Sequence, residues 1–157
     1  MTGSPEHPDA VERSYRANSS RLWRSLLLFS GSTEVADEAL AEAFAQALAR
    51  GEAIRDIDAW TWKAAFKIAN GELKRRRRAT TDVPQDMPME MPDETVDLVR
   101  ALLTLPVRQR EALVLHHYAG YSNKEVAAIL GSTTAAATML IDRGRHKLRP
   151  LLEERHV

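Results

Sequence analysis

The sequence contains no cysteine, so neither a disulfide framework nor a thiolate metal site is available to it. Aromatic residues make up only 6% of the chain. Apolar runs are short: Leu26-Leu27-Leu28-Phe29 is a core patch, far below the length that crosses a bilayer. Residues 1–10 lack the basic start and apolar run of a secretory signal. From these absences we expect a cytoplasmic protein with no membrane insertion. Charge of one sign is also lacking, with 22 Lys and Arg against 22 Asp and Glu. A zero balance argues against a simple polybasic nucleic-acid binder, but the cations are unevenly spread.

Hydrophobic residues supply 44% of the chain, enough to build cores. Alanine, leucine and arginine dominate and β-branched residues are sparse, which favours helix. A length of 157 residues suits one ordinary domain or two small ones.

Residues 1–9, with Gly3, Ser4, Pro5 and Pro8, are expected to form a flexible arm. From Ala10, Val11, Tyr15, Leu22, Leu26 and Phe29 recur at helical spacing until Gly31. Ser32-Thr33-Glu34 then caps a second helix, Val35–Arg50, which Gly51 ends. Asp56 or Asp58 can cap a third helix, which starts near Ala59 and carries Trp60, Trp62, Phe66, Ile68 and Leu73. It runs into five cations, Lys74, Arg75, Arg76, Arg77 and Arg78. Residues 79–93 differ in kind. Pro84, Pro88 and Pro92 interrupt helix, and the charges (Asp82, Asp86, Glu90, Asp93) are all acidic, which reads as an interdomain linker. Helical periodicity returns from Glu94 with Val96, Val99, Leu102 and Leu103. The expected fold class is therefore all-α: two small helical domains, 10–78 and 94–157, joined by an acidic proline-rich linker.

The second domain carries a helix-turn-helix pattern. Thr104-Leu105-Pro106-Val107 reads as the start of a helix reaching Tyr118, with a hydroxyl cap and a proline near the first helical position. Ser122-Asn123-Lys124-Glu125 is a capping box for a short helix with Val126, Ile129 and Leu130 on one face. Gly131 ends that helix, and Ser132 and Thr133 offer caps for another, Thr134–Leu148. This order places a recognition helix for a major groove. An ordinary three-helix core with a solvated basic end is the plainer alternative.

The run Leu105-Pro106-x-Arg108-Gln109-Arg110-Glu111-x-Leu113-x-Leu115-x-x-Tyr118-x-Gly120-x-Ser122-x-x-Glu125-Val126-Ala127-x-x-Leu130-Gly131 resembles the promoter-binding C-terminal domain of sigma-70-type RNA polymerase sigma factors, above all the small extracytoplasmic-function (ECF) group. The resemblance extends to the first domain. Val35 to Phe44 looks like the family's polymerase-docking helix, which implies that Glu38, Glu42 and Phe44 bind core polymerase; Ala41 stands where the family usually has glutamine. Read on spacing alone, Glu38 and Glu42 are two carboxylates one turn apart on a solvated face. The segment from Trp60 to Ala69 resembles the minus-ten helix, which implies DNA contacts from Trp62, Lys63 and Lys67. The residues themselves suit that role, because aromatic faces stack on unpaired bases and nearby lysines neutralise phosphates. Trp60 is expected in the core. Lys67 and Gly71 replace the family's usual asparagine and aspartate. The cations 74–78 read either as a phosphate clamp or as a solvated helix end that complements the dipole.

The recognition helix is the poorest match. The resemblance implies upstream-element contacts from Lys124, Thr133, Thr134, Ala137, Thr138, Arg143, Arg145 and Lys147. Thr138 and Leu140, however, stand where the family commonly has a lysine and an arginine, and Asp142 adds a negative charge.

No nucleophile, base and acid arrangement is visible, so no catalytic residue, cofactor or metal is expected. His116 and His117 are adjacent on a helix, point about 100° apart and cannot chelate one ion together. The resemblance implies an ECF-type sigma factor, not an enzyme, with core RNA polymerase and promoter DNA as partners. Many members of the family are restrained by an anti-sigma protein, a partner left open here. The rival reading is a helix-turn-helix transcriptional regulator that is not a polymerase subunit.

Overall fold

A computed structural model describes residues 6–79 and 91–153, and among these every regular element is helical. Helix α1 spans Glu6–Ser30, α2 Thr33–Arg50 and α3 Ile57–Ala79. Helix α4 spans Asp93–Leu103, α5 Val107–Leu113, α6 Asn123–Leu130 and α7 Thr134–Glu153. The all-α fold class agrees with the sequence. Most of the linker expected over 79–93, and part of the arm expected over 1–9, lie outside the described residues.

Several helix ends follow from local chemistry. The Ser32 hydroxyl accepts from the Val35 N–H, and Asp56 Oδ1 accepts from the Ala59 N–H. Ser122 and Glu125 form a complete capping box, and Gly131 closes α6 in the left-handed region at φ 68°.

Two ends differ from expectation. Helix α1 begins at Glu6 rather than Ala10. Pro8 sits in the first turn, where its missing N–H breaks no helical bond, and buried His7 donates from Nε2 to the Ala47 carbonyl, 2.9 Å away on α2. Thr104 does not cap α5. Its hydroxyl donates back to the Ala101 carbonyl, so it closes α4, and α5 follows Pro106 without a side-chain cap. Helix α5 also widens into a π turn over Val114–Tyr118, and His116 Nδ1 then donates to the Tyr121 carbonyl at 2.8 Å.

The first half, α1–α3, is a three-helix bundle around Leu22, Leu26, Phe29, Val35, Trp62 and Phe66. In the second half α5 and α6 pack on α7. Gly144 permits that crossing, since a Cβ there would lie 3.2 Å from the Gln109 carbonyl oxygen. The halves are docked, with α4 on α1 and α6 on α3. A Cβ on Gly31 would meet Leu103 Cδ1 at 2.9 Å, so the α1–α2 turn lies directly against α4.

Candidate nucleic-acid interface

Helix α3 has two used sides. Trp62 and Phe66 point inward, fully buried, and Phe66 meets Phe29 at 5.2 Å between ring centroids. Lys63 and Lys67 point outward and are exposed. Together with Gln46, Arg50, Trp60 and Ile68 they line a groove of about 460 Å³ between α2 and α3. Trp60 is half-buried there, and the Arg50 guanidinium lies 5.8 Å from its ring centroid. The two tryptophans thus exchange the roles expected of them. Trp62, the expected DNA contact, is sealed in the core, while Trp60, the expected core residue, faces the groove. The period of a single amphipathic helix could not separate them, because α3 also buries a second face against the other half of the chain.

The basic end of α3 is not five equivalent cations. Arg75 is paired with Glu72, and that hydrogen bond together with the charges of Arg75 and Arg76 lowers the Glu72 carboxyl below the ordinary glutamate range. Arg76 reaches Glu72, Glu34 at 3.1 Å and the Ser32 hydroxyl at 3.3 Å, which ties α3 to the start of α2. Lys74 and Arg77 are exposed. The Arg78 side chain lies outside the described residues.

On α2, Glu38, Ala41, Glu42 and Leu48 form an exposed stripe. The helical spacing groups Leu48 with Leu40, Phe44 and Ala47 on one apolar face, but Leu48 instead lies outside, at 51% exposure. Phe44 does not belong to the stripe. It is buried at 6% exposure and packs edge-to-face on Tyr15, with centroids 5.1 Å apart. Its expected role as a polymerase contact is therefore corrected to a core role.

The turn into α7 is held by its own hydrogen bonds. The Thr133 hydroxyl accepts from the Ala136 N–H, and the Ser132 N–H bonds back to the Ala127 carbonyl. Lys124, Thr133, Thr134, Arg143 and Lys147 are exposed. Ala137 is fully buried, so the expected DNA contact from it is corrected to packing against the helix-turn-helix core. Thr138 is half-buried and accepts a 2.8 Å bond from Asn123 Nδ2, which joins α6 to α7. Arg145 donates to His117 Nε2 at 3.0 Å and lies 3.8 Å from Asp142. Burial first, and then the charges of Arg145 and His116, lower the His117 pKa. Met139 projects from the exposed face at 50% exposure, a position the sequence pattern did not mark.

Beneath this surface lies an ionisable pair. Arg110 is fully buried, and desolvation pushes its guanidinium down to about 10. Burial pushes the Glu111 carboxyl up to about 7, against the opposing pull of Arg108 and Arg110. Among the described residues no cluster of His, Cys, Asp and Glu could hold a metal ion, and no helix is long and apolar enough to cross a membrane.

Residues 95–148 match the family described as Sigma-70, region 4. The ECF RNA polymerase sigma factor EcfG of Rhodopseudomonas palustris is 29% identical over 134 residues, covering 78% of this chain and 74% of that protein. The ECF RNA polymerase sigma factor SigM of Mycobacterium tuberculosis is 28% identical over 152 residues, covering 91% and 77%. Two solved structures share the fold. The sigma factor RpoE of Bartonella quintana, solved with the anti-sigma factor NepR, has a TM-score of 0.75 at 20% identity and covers 90% of this chain and 96% of that one. CnrH, solved with the cytosolic domain of CnrY, has a TM-score of 0.74 at 23% identity and covers 94% and 90%. With an aromatic–cationic helix in its first half and a capped helix-turn-helix in its second, the chain belongs to the sigma-70 family of RNA polymerase sigma factors, in the ECF group.

Proposed function

We propose that this chain works as an ECF-type sigma factor that directs promoter recognition and transcription initiation, each half bringing one promoter element to core RNA polymerase. The observation that carries the reading is the pairing of two different surfaces on one chain: the Trp60–Lys63–Lys67 groove on α3 and the helix-turn-helix of α6 and α7. In the groove, Lys63 and Lys67 neutralise phosphates of the unpaired strand and Trp60 offers a face for a base. Lys74 and Arg77 extend the cationic track. Arg75 and Arg76 take part less, since each is already engaged with Glu72.

The exposed acidic stripe of Glu38 and Glu42 docks on polymerase. Lys124, Thr133, Thr134, Arg143 and Lys147 face the upstream element, and Thr138 supports that face through Asn123. A non-catalytic role in the cytoplasm follows from this reading, and an anti-sigma protein is a natural restraining partner. Run-off transcription with purified core polymerase tests it. Promoter-dependent transcripts that need the added chain are expected. A chain that binds DNA but neither competes with other sigma factors for core enzyme nor supports run-off is a helix-turn-helix regulator instead.

A further inference from the structure

The π turn over Val114–Tyr118 carries two histidines with different partners. Its wide bond runs from the Ala119 N–H to the Val114 carbonyl at 3.0 Å, so the turn holds one residue more than an α-turn. His116 is fixed by its bond to the Tyr121 carbonyl. His117 reaches α7, where its Nε2 meets Arg145 Nε at 3.0 Å.

The donor dictates the state of the imidazole. A guanidinium has only N–H groups to offer, so Nε2 must accept with its lone pair. His117 is therefore neutral in this contact, with its proton on Nδ1. An imidazolium carries N–H on both nitrogens and cannot make the bond. Burial, then the charges of Arg145 and His116, favour the same neutral form.

Charged groups on the elements packed against the turn have partners of their own. Arg21 of α1 donates to the Ala119 carbonyl. On α5, Arg108 stands 3.8 Å from Glu111, and buried Arg110 donates to the Leu103 carbonyl. Glu125 of α6 accepts from the Ser122 N–H. On α7, Asp142 lies 3.8 Å from Arg145 Nη1, and Arg149 follows Arg145 by one turn.

Arg145 stands on a used flank of α7. Thr134, Thr138 and Arg145 share one side at helical spacing, and Arg143 and Lys147 share the other. The first side adjoins α6, because Thr138 accepts from Asn123 there. A helix in a major groove has a phosphate strand along each flank. Held through Nε, the guanidinium keeps both Nη groups for other partners, and its side chain is 41% exposed. A planar fork fixed at its base loses little freedom when its tips meet a phosphate. The geometry points to His117 as a positioning residue: its neutral imidazole aims the Arg145 guanidinium at a duplex phosphate on the α6 side of α7. This rests on the reading of α7 as the duplex-facing helix, and adds to it the group that aims one of its cations.

The test measures what Arg145 adds to duplex affinity. The quantity is the affinity ratio between a full chain and the same chain carrying Arg145→Gln, with a labelled mixed-sequence duplex. Three backgrounds are compared: the native chain, His117→Ala, and His117→Gln, whose amide oxygen keeps an acceptor that does not titrate. His117 is exposed, so neither change opens a core cavity. At about pH 8 the ratio should be about fivefold in the native chain and in His117→Gln, and about twofold or less in His117→Ala. At about pH 5, below the ordinary imidazole value of 6.5, the native ratio should fall to that of His117→Ala while His117→Gln keeps its own. Each ratio is taken at one pH in one background, so charge gained by the other histidines cancels. A ratio in His117→Ala equal to the native one overturns the positioning role. A native ratio that is the same at both pH values overturns the neutral acceptor. If Arg145→Gln alone leaves duplex affinity unchanged, the aimed cation is wrong and α7 still faces DNA. If Arg143→Gln and Lys147→Gln also leave it unchanged, the reading of α7 itself fails, and the role of His117 with it.

Discussion

Helices α3 and α7 are of similar length, 23 and 20 residues, and both carry cations towards their C-terminal ends, yet their exposed faces differ in chemistry. On α3 the cations Lys63 and Lys67 stand at mid-helix, around a groove with Trp60 in its wall. On α7 the leading turns expose Thr134, Ala135 and Met139, and the cations begin at Arg143, after Asp142. Charge beside an aromatic face can hold an unpaired strand, phosphate and base together. Charge behind a neutral leading face can hold only the backbone of a duplex. On the proposed function, the first half supplies most of the grip and the second supplies position.

The largest expected effect separates the two sides of α3. Trp62→Ala should destabilise the protein by about 3–5 kcal/mol, because it empties a fully buried indole site. Trp60→Ala, at a partly buried site, should cost clearly less stability than Trp62→Ala and weaken single-strand binding by about 1–3 kcal/mol. Thermal melts and an anisotropy titration of both variants decide the matter. If Trp60→Ala melts the fold while Trp62→Ala leaves it intact, the assignment of inner and outer sides is wrong.

The second half has its own core weakness at Glu111, whose carboxyl is raised to about 7 by burial. The folded protein then keeps a proton that the unfolded chain releases above its ordinary value of 4.5. Stability should therefore fall as pH rises from about 4.5 to 7 and level off above, by up to about 3 kcal/mol from this group. Glu111→Gln, which cannot ionise, should remove that fall. Melts at pH 5 and pH 8 that show the same slope in both proteins would contradict it.

The next comparison sets cations against carboxylates in the first half. Lys63→Gln with Lys67→Gln should reduce the salt slope of single-strand binding by about 1.4, two phosphate contacts at about 0.7 each. Glu38→Lys with Glu42→Lys should leave that slope alone, keep the helix content and weaken binding to core polymerase. A slope that ignores the lysines would mean that they form only a solvated face.

Much of this was legible in the sequence, for identifiable reasons. Caps and stops are local, so Ser32, Ser122, Glu125 and Gly131 could be read one turn at a time. Thr104 misled because a hydroxyl three residues before a helix can equally bond backwards, as this one does to Ala101. The start of α1 was set by a bond from His7 to Ala47, forty residues away, which no local pattern carries. The exchange of Trp60 and Trp62, and the burial of Phe44 and Ala137, share a cause. A helical period shows which residues share a face but not which of two faces meets another element. The pairing of Arg76 with Glu34 was hidden for the same reason, since a run of like charges gives no sign of which member turns inward.

The smallest effects belong to the leading face of α7, where the contrast with α3 can be tested most finely. Thr134 and Met139 are exposed, and neither carries the fixed donor fork that discriminates guanine by about 1–3 kcal/mol. Their reach is to thymine methyl groups, which supports at most a modest preference for A·T pairs. Thr134→Ala and Met139→Ala in the full chain should each change duplex affinity by no more than about threefold, with little change in sequence preference. Arg143→Gln and Lys147→Gln should each lower the duplex salt slope by about 0.9 and weaken all sequences alike. Titration of these four variants against a duplex library at physiological salt separates the two kinds of contact. A tenfold, sequence-selective loss in Thr134→Ala would place base readout on α7 and erase the division of labour between the two helices.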